Sequence, residues 1–185
     1  MIHENLWVGE HIRLTALTKE DMPQVARWFR DAGLLRLWNA DAAKPASEAG
    51  LIKQLEEMDK RENAFGFAIR PIEGEELLGY IELEGILWSH QVAWIAIGIG
   101  DRANWGRGYG REAMTLVLDF AFRELNLYRI QLSVFEYNDR AIALYEKLGF
   151  QREGVFREML HRDGRRYDMY LYGLLRHEWE ARRVE

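Results

Sequence analysis

The residues best equipped for chemistry are Trp105-Gly106-Arg107-Gly108-Tyr109-Gly110. Glycines at 106, 108 and 110 leave a row of backbone N–H groups uncovered by side chains, and such a row binds anions. The segment stands between an apolar run, Val92–Ile99, and a helix expected over Glu112–Glu124. That helix adds orphan N–H donors and its positive dipole end to the same space. The combination suits a pyrophosphate. Arg102, Arg107 and Arg111 supply cationic charge around it. A glycine cluster alone also meets the needs of a tight structural turn. Gly108-Tyr109-Gly110-Arg111-Glu112-Ala113 fits the dinucleotide-binding pattern too, but only about 75 residues follow it, too few for the paired three-stranded halves of that fold. No Lys-Ser or Lys-Thr follows the glycines, so a P-loop is excluded.

A second segment runs from Asn138 to Phe150. Ala141, Leu144, Tyr145 and Leu148 share one helical face, which turns Tyr145 inward. The same residues also read as a core tyrosine and, at Asn138, a plain helix N-cap. On a strand further upstream, Tyr80, Glu82 and Glu84 share a face by the period-two rule. Paired carboxylates there can bind and deprotonate an amine, or simply face solvent. His161 is a third candidate base, with a surface histidine as the alternative. No histidine pair has metal-ligand spacing and the chain has no cysteine, so no metal site is expected. A nucleophile elbow is also absent.

Positioning these groups requires a particular succession of elements. A strand over Ile12–Leu17 leads to a helix that opens at Thr18 and Asp21 and runs to about Asp31. After a loop at 41–46 comes a helix from about Ser47 to Arg61, then strands near Ala64–Arg70, Glu76–Leu87 and Val92–Ile99. The Glu112–Glu124 helix, a strand over Tyr128–Tyr137 and a helix over Asp139–Leu148 follow, with Gly149 as a left-handed C-cap. The remainder alternates around Arg162-Asp163-Gly164-Arg165, a hairpin signal. The expectation is one α/β (mixed α+β) domain over residues 1–185, with about seven strands flanked by about four helices.

Composition narrows the function. With 185 residues, 48% hydrophobic and 30% charged, the chain can bury a core without disulfides. A net charge of −5 argues against a nucleic-acid footprint. Residues 1–100 hold 10 Lys and Arg against 16 Asp and Glu, an imbalance that favours a cationic ligand in that half. The N-terminus lacks a basic, apolar secretion signal and no apolar stretch spans a membrane, which predicts a cytoplasmic protein.

From Trp105 to Phe150 the sequence resembles the GNAT superfamily of acyl-CoA N-acyltransferases. Gly108 and Gly110 fill the glycine positions of its Gln/Arg-x-x-Gly-x-Gly/Ala loop, although Trp105 stands where that family has Gln or Arg. Asn138, Ala141, Tyr145, Gly149 and Phe150 match its closing motif. Trp-Gly-Arg-Gly-Tyr-Gly-Arg-Glu-Ala at 105–113 and Arg-Asp-Gly-Arg at 162–165 bring it nearest the ribosomal-protein N-terminal and spermidine acetyltransferases.

The resemblance implies a mostly antiparallel twisted sheet, acetyl-CoA as cosubstrate, direct attack by an amine in a ternary complex, and a possible homodimer. It implies that Ile97 and Ile99, at the end of the fourth strand, flank the thioester, with Gly98 easing the strand's departure from regularity. The amides of Trp105 to Arg111 would grip the diphosphate. Asn138 would hold the pantetheine, and Tyr145 would serve as general acid. Trp28, Trp38, Trp88 and Trp94 would line an acceptor pocket, unless they are only core aromatics. The acceptor expected first is a protein or peptide α-amine, because with a pKa of about 8 it needs only a weak base. Polyamines and aminoglycoside-type amines are the alternative acceptors, and a non-catalytic acyl-CoA sensor is the alternative of another class.

Overall fold

The computed structural model describes residues 5–182. One seven-stranded sheet has the order β1-β2-β3-β4-β5-β7-β6. Its strands are β1 (Ile12–Ala16), β2 (Phe65–Pro71), β3 (Gly79–Leu87), β4 (Val92–Ile99), β5 (Arg129–Phe135), β6 (Gln151–Arg162) and β7 (Arg165–Leu175). Among the described residues only the β4–β5 pair is parallel. Helices α1 (Met22–Trp28), α2 (Ala32–Trp38), α3 (Glu48–Asp59), α4 (Tyr109–Asp119), α5 (Asp139–Leu148) and α6 (Arg176–Ala181) flank the sheet. The β6–β7 turn puts Asp163 and Gly164 at positive φ, as its Asp-Gly pair predicts.

Six helices replace the four expected, for local reasons. Thr18 and Asp21 form the predicted capping box, but the helix that follows ends at Trp28 and does not reach Asp31. Asp31 instead caps a new helix, its carboxylate accepting from the Leu34 amide at 3.0 Å. The last helix, α6, is too short to show a periodic pattern, and its buried Trp179 holds it against the core. α4 begins at Tyr109 rather than Glu112 and runs on into a π-helical turn, Phe120–Glu124.

Two clusters fill the space on either side of the sheet. Met114, Val117 and Leu118 of α4 join Ile69, Ile81, Leu83 and Ile130 in one cluster. Val25, Trp28, Leu34, Leu51 and Leu55 gather around Ala68 in the other. Ala68 and Ile69 are adjacent in β2, so the clusters cover opposite faces. Pairing between β4 and β5 stops at Trp94↔Gln131, although β4 continues to Ile99 and β5 to Phe135. Beyond that pair the sheet forks.

Candidate active site

A cleft of about 920 Å³ occupies the fork. Its first wall is the glycine loop. Gly106 and Gly108 have φ of +74° and +89°, a region that side chains disfavour, and a Cβ on Gly108 would meet nothing within 4 Å. The left-handed Gly108 caps α4 without any side-chain bond. Among the described residues, the amides from Gly106 to Arg111 donate to no backbone carbonyl, and the first amide to do so is Glu112, to Gly108 at 3.0 Å. An uncovered amide row at the head of an eleven-residue helix can accept an anion such as a diphosphate. A Cβ on Gly110 would stand 3.7–3.9 Å from Leu144, Ile97 and Ile99, ordinary contacts that mark the apolar end of the loop.

Trp105 is fixed by its indole N–H, which donates to the Ile99 carbonyl at 2.9 Å. The guanidiniums of Arg102 and Arg140 lie 5.1 and 4.8 Å from its ring centroid. On the α5 side Tyr145 is buried, 7% exposed, and lines the cleft. Burial pushes its hydroxyl up to about 12, so it remains a proton donor at neutral pH. Asn138 caps α5 by accepting from the Ala141 amide at 3.3 Å and donates to the Leu37 carbonyl at 3.3 Å. Its amide is thus tied into the scaffold, and one N–H and one lone pair of Oδ1 remain for a ligand.

The opposite wall is made of side chains. Tyr80, Glu82 and Glu84 of β3 all face the cleft, as their alternation predicts. Glu82 is half-buried. Desolvation, reinforced by the neighbouring charge of Glu84 and partly opposed by Arg61, raises its carboxyl to about 7. Trp38 stands edge-on to Tyr80 at 5.5 Å and to Trp28 at 5.9 Å. A Cβ on Gly98 would fall 2.6 Å from the Trp38 ring, so this glycine makes room for an aromatic wall. Residues 37–40 form the roof, and the β6–β7 hairpin holds them there. Arg162 Nη2 lies within 3.1 Å of the carbonyls of Asn39, Ala40 and Asp41. Arg36 and Asp163 form a two-point ion pair at 2.8 and 3.0 Å, and the Tyr137 hydroxyl donates to the Arg36 carbonyl at 2.7 Å.

A splayed parallel pair, an amide cradle at one mouth and paired carboxylates at the other form a seat for a thioester and an amine. An acetyltransferase (GNAT) domain matches residues 11–151. The chain is a GNAT acetyltransferase. It is 31% identical over 150 residues to the spermidine N(1)-acetyltransferase of Escherichia coli, covering 81% of this chain and 76% of that protein. An uncharacterized N-acetyltransferase of Bacillus licheniformis, p20, is 29% identical over 92% of this chain and 96% of its own length. The crystal structure of the Vibrio cholerae spermidine N-acetyltransferase in complex with CoA and spermine superposes with a TM-score of 0.83 at 25% identity, covering 91% of this chain and 98% of that one.

In this acetyltransferase the cleft gathers most of the residues singled out in the sequence, but not all. Ile97, Ile99, Trp105, Gly106, Gly108, Tyr109, Gly110, Arg111, Asn138, Tyr145, Glu82 and Glu84 line it. Arg102 does not, because its guanidinium is turned to Asp31 at 2.9 Å. Arg107 does not line it either, its guanidinium lying 6.0 Å from the Tyr109 ring centroid. Of the four tryptophans proposed for the acceptor side, Trp38 and Trp94 line the cleft. Trp28 is buried behind it over Gly100, and Trp88 sits in the exposed β3–β4 turn. His161 is exposed outside it. Of the roof, sequence reasoning found Trp38 alone, and it missed Arg140, whose signal was its place one turn ahead of Leu144 on the cleft-facing side of α5. No three metal-ligating residues cluster among the described residues, and no described helix is long and apolar enough to cross a membrane.

Proposed function

We propose that this enzyme moves the acetyl group of acetyl-CoA to a primary amine of a polyamine. The observation that carries this reading is the half-buried Glu82 beside Glu84 in an arm walled by Trp38, Tyr80 and Trp94, a setting made for an organic cation. The similarity to spermidine acetyltransferases favours a polyamine over the peptide α-amine that the sequence alone put first. Bound acetyl-CoA supplies the thioester carbonyl that the amine attacks. The cradle from Gly106 to Arg111 holds the diphosphate, and a backbone N–H of the Ile97–Ile99 stretch faces the developing oxyanion.

Glu82 receives the proton of the attacking amine. A polyamine nitrogen titrates near about 10.4 in water, so only about one in two thousand is neutral at pH 7. The apolar walls that raise Glu82 also penalise the ammonium form, and the two groups are thereby drawn toward each other in proton affinity. Glu84 holds the rest of the cation. Tyr145 donates its hydroxyl proton toward the departing sulfur. With a pKa of about 12 against about 8.5 for a thiol, Tyr145 stays protonated and hydrogen-bonds the departing thiolate, which takes up, through that hydroxyl, the proton that the amide nitrogen releases. Edge strand β6 exposes Val155, Phe156 and Met159, which supports a homodimer, testable by sedimentation.

The test is CoA release measured with polyamines, peptides and aminoglycosides. Turnover with spermidine or spermine is expected, and a response to peptides alone would return the acceptor to the α-amine class. Tyr145→Phe should lower kcat about tenfold or more with unchanged acetyl-CoA affinity. Coenzyme binding without turnover on any amine would leave only the sensor.

A further inference from the structure

Arg140 is a cation in an unfavourable place. It lies in the first turn of α5, where the positive end of the helix dipole repels it, and it forms no ion pair or hydrogen bond among the described residues. It is exposed, lines the cleft and is held over the Trp105 ring, which is itself anchored to Ile99. Helix stability does not account for it, and a waiting anion does.

The loop shows which anion. At Gly110 a Cβ would meet the apolar Ile97, Ile99 and Leu144, and at Gly108 it would meet nothing within 4 Å. At Gly106 the nearest group is Arg140 Nη2, 4.0 Å from where a Cβ would stand. An extended coenzyme laid along this order puts its acyl arm at Gly110 and its diphosphate over Gly108. Its nucleotide then reaches Gly106. We infer that Arg140, stacked on Trp105, seats the 3′-phosphate of coenzyme A and makes the enzyme selective for 3′-phosphorylated donors. The inference rests on the acetyl-CoA reading above. It adds a second phosphate seat, separate from the amide row.

Calorimetry with CoA and 3′-dephospho-CoA on the intact protein separates the two. The wild type should bind CoA about tenfold or more tightly than 3′-dephospho-CoA, as one charge-assisted contact provides. Arg140→Gln should erase that gap by weakening CoA alone, while Arg140→Lys keeps part of it. The thermal midpoint of Arg140→Gln should be unchanged or slightly raised, because a charge opposing the dipole is gone. Equal binding of both coenzymes by the wild type, or a gap that survives Arg140→Gln, would overturn the 3′-phosphate seat and leave the diphosphate cradle standing. Failure to bind either coenzyme would overturn the acetyl-CoA reading along with it.

Discussion

The two walls of the cleft are built from different materials. The wall proposed for the coenzyme is mainly backbone: glycines at 106, 108 and 110, free amides and a helix end, all within one short stretch of chain. The wall proposed for the acceptor is side chains, drawn from β3, β4, α2 and the roof at 37–40, and its roof depends on partners more than 100 residues away. Amide geometry is the same for any residue type, so the first wall suits a ligand common to a family. Side chains can be exchanged one at a time, so the second wall can change its substrate without disturbing the first.

Substitutions on each wall should therefore fail in separable ways. Gly108→Val should have the largest effect. A β-branched residue at φ +89° strains the cradle, and coenzyme affinity should fall about 100-fold or more by calorimetry with the fold intact, since the new Cβ meets nothing. If affinity held, the amide row would not be the cradle.

Glu82→Gln should leave coenzyme affinity alone and lower kcat/KM for the amine about 100-fold, removing the rise in activity through about pH 7. The same carboxyl makes a stability prediction. Its folded pKa lies above its ordinary value of 4.5, so the folded state binds the extra proton. Stability contributed by the protonated form is present at low pH and is lost as pH climbs to about 7. Thermal melts of Glu82→Gln should lack that slope.

Arg162→Gln frees the carbonyls of residues 39–41, and acceptor KM should rise about fivefold while coenzyme affinity stays put. Equal losses on both sides would mean that the walls are not independent. Gly110→Ala should do least. Its neighbours stand at 3.7–3.9 Å, and steady-state constants within about twofold of wild type are expected.

The contrast between the walls also explains what was legible in the sequence. Glycine positions, the helical period of α5 and the alternation of Tyr80, Glu82 and Glu84 are local patterns, and each was read correctly in its place. Of the roof only Trp38 was, because α2 is seven residues long and its position is set by Tyr137, Asn138, Arg162 and Asp163. The Arg-Asp-Gly-Arg run at 162–165 stood out in the sequence as a likeness, and its work proved to be fastening that roof. Proximity in sequence misled at Arg102, which answers Asp31, while Arg140, 35 residues beyond Trp105, reaches the loop across space. Gly98 lies in the splayed part of β4, where the sequence puts a departure from regularity, and its missing side chain also admits Trp38.

The fork has one more consequence. β4 and β5 are joined by the pairs Val92↔Arg129, Ala93↔Ile130 and Trp94↔Gln131 alone, so the halves of the sheet meet along a seam shorter than either strand. A pantetheine arm lying in the gap would act as a borrowed strand, completing a ladder the polypeptide leaves unfinished. Deuterium uptake at Ile95–Ile99 and Leu132–Phe135 should then slow on saturation with coenzyme, and the whole protein should melt later, as though the donor were part of its architecture.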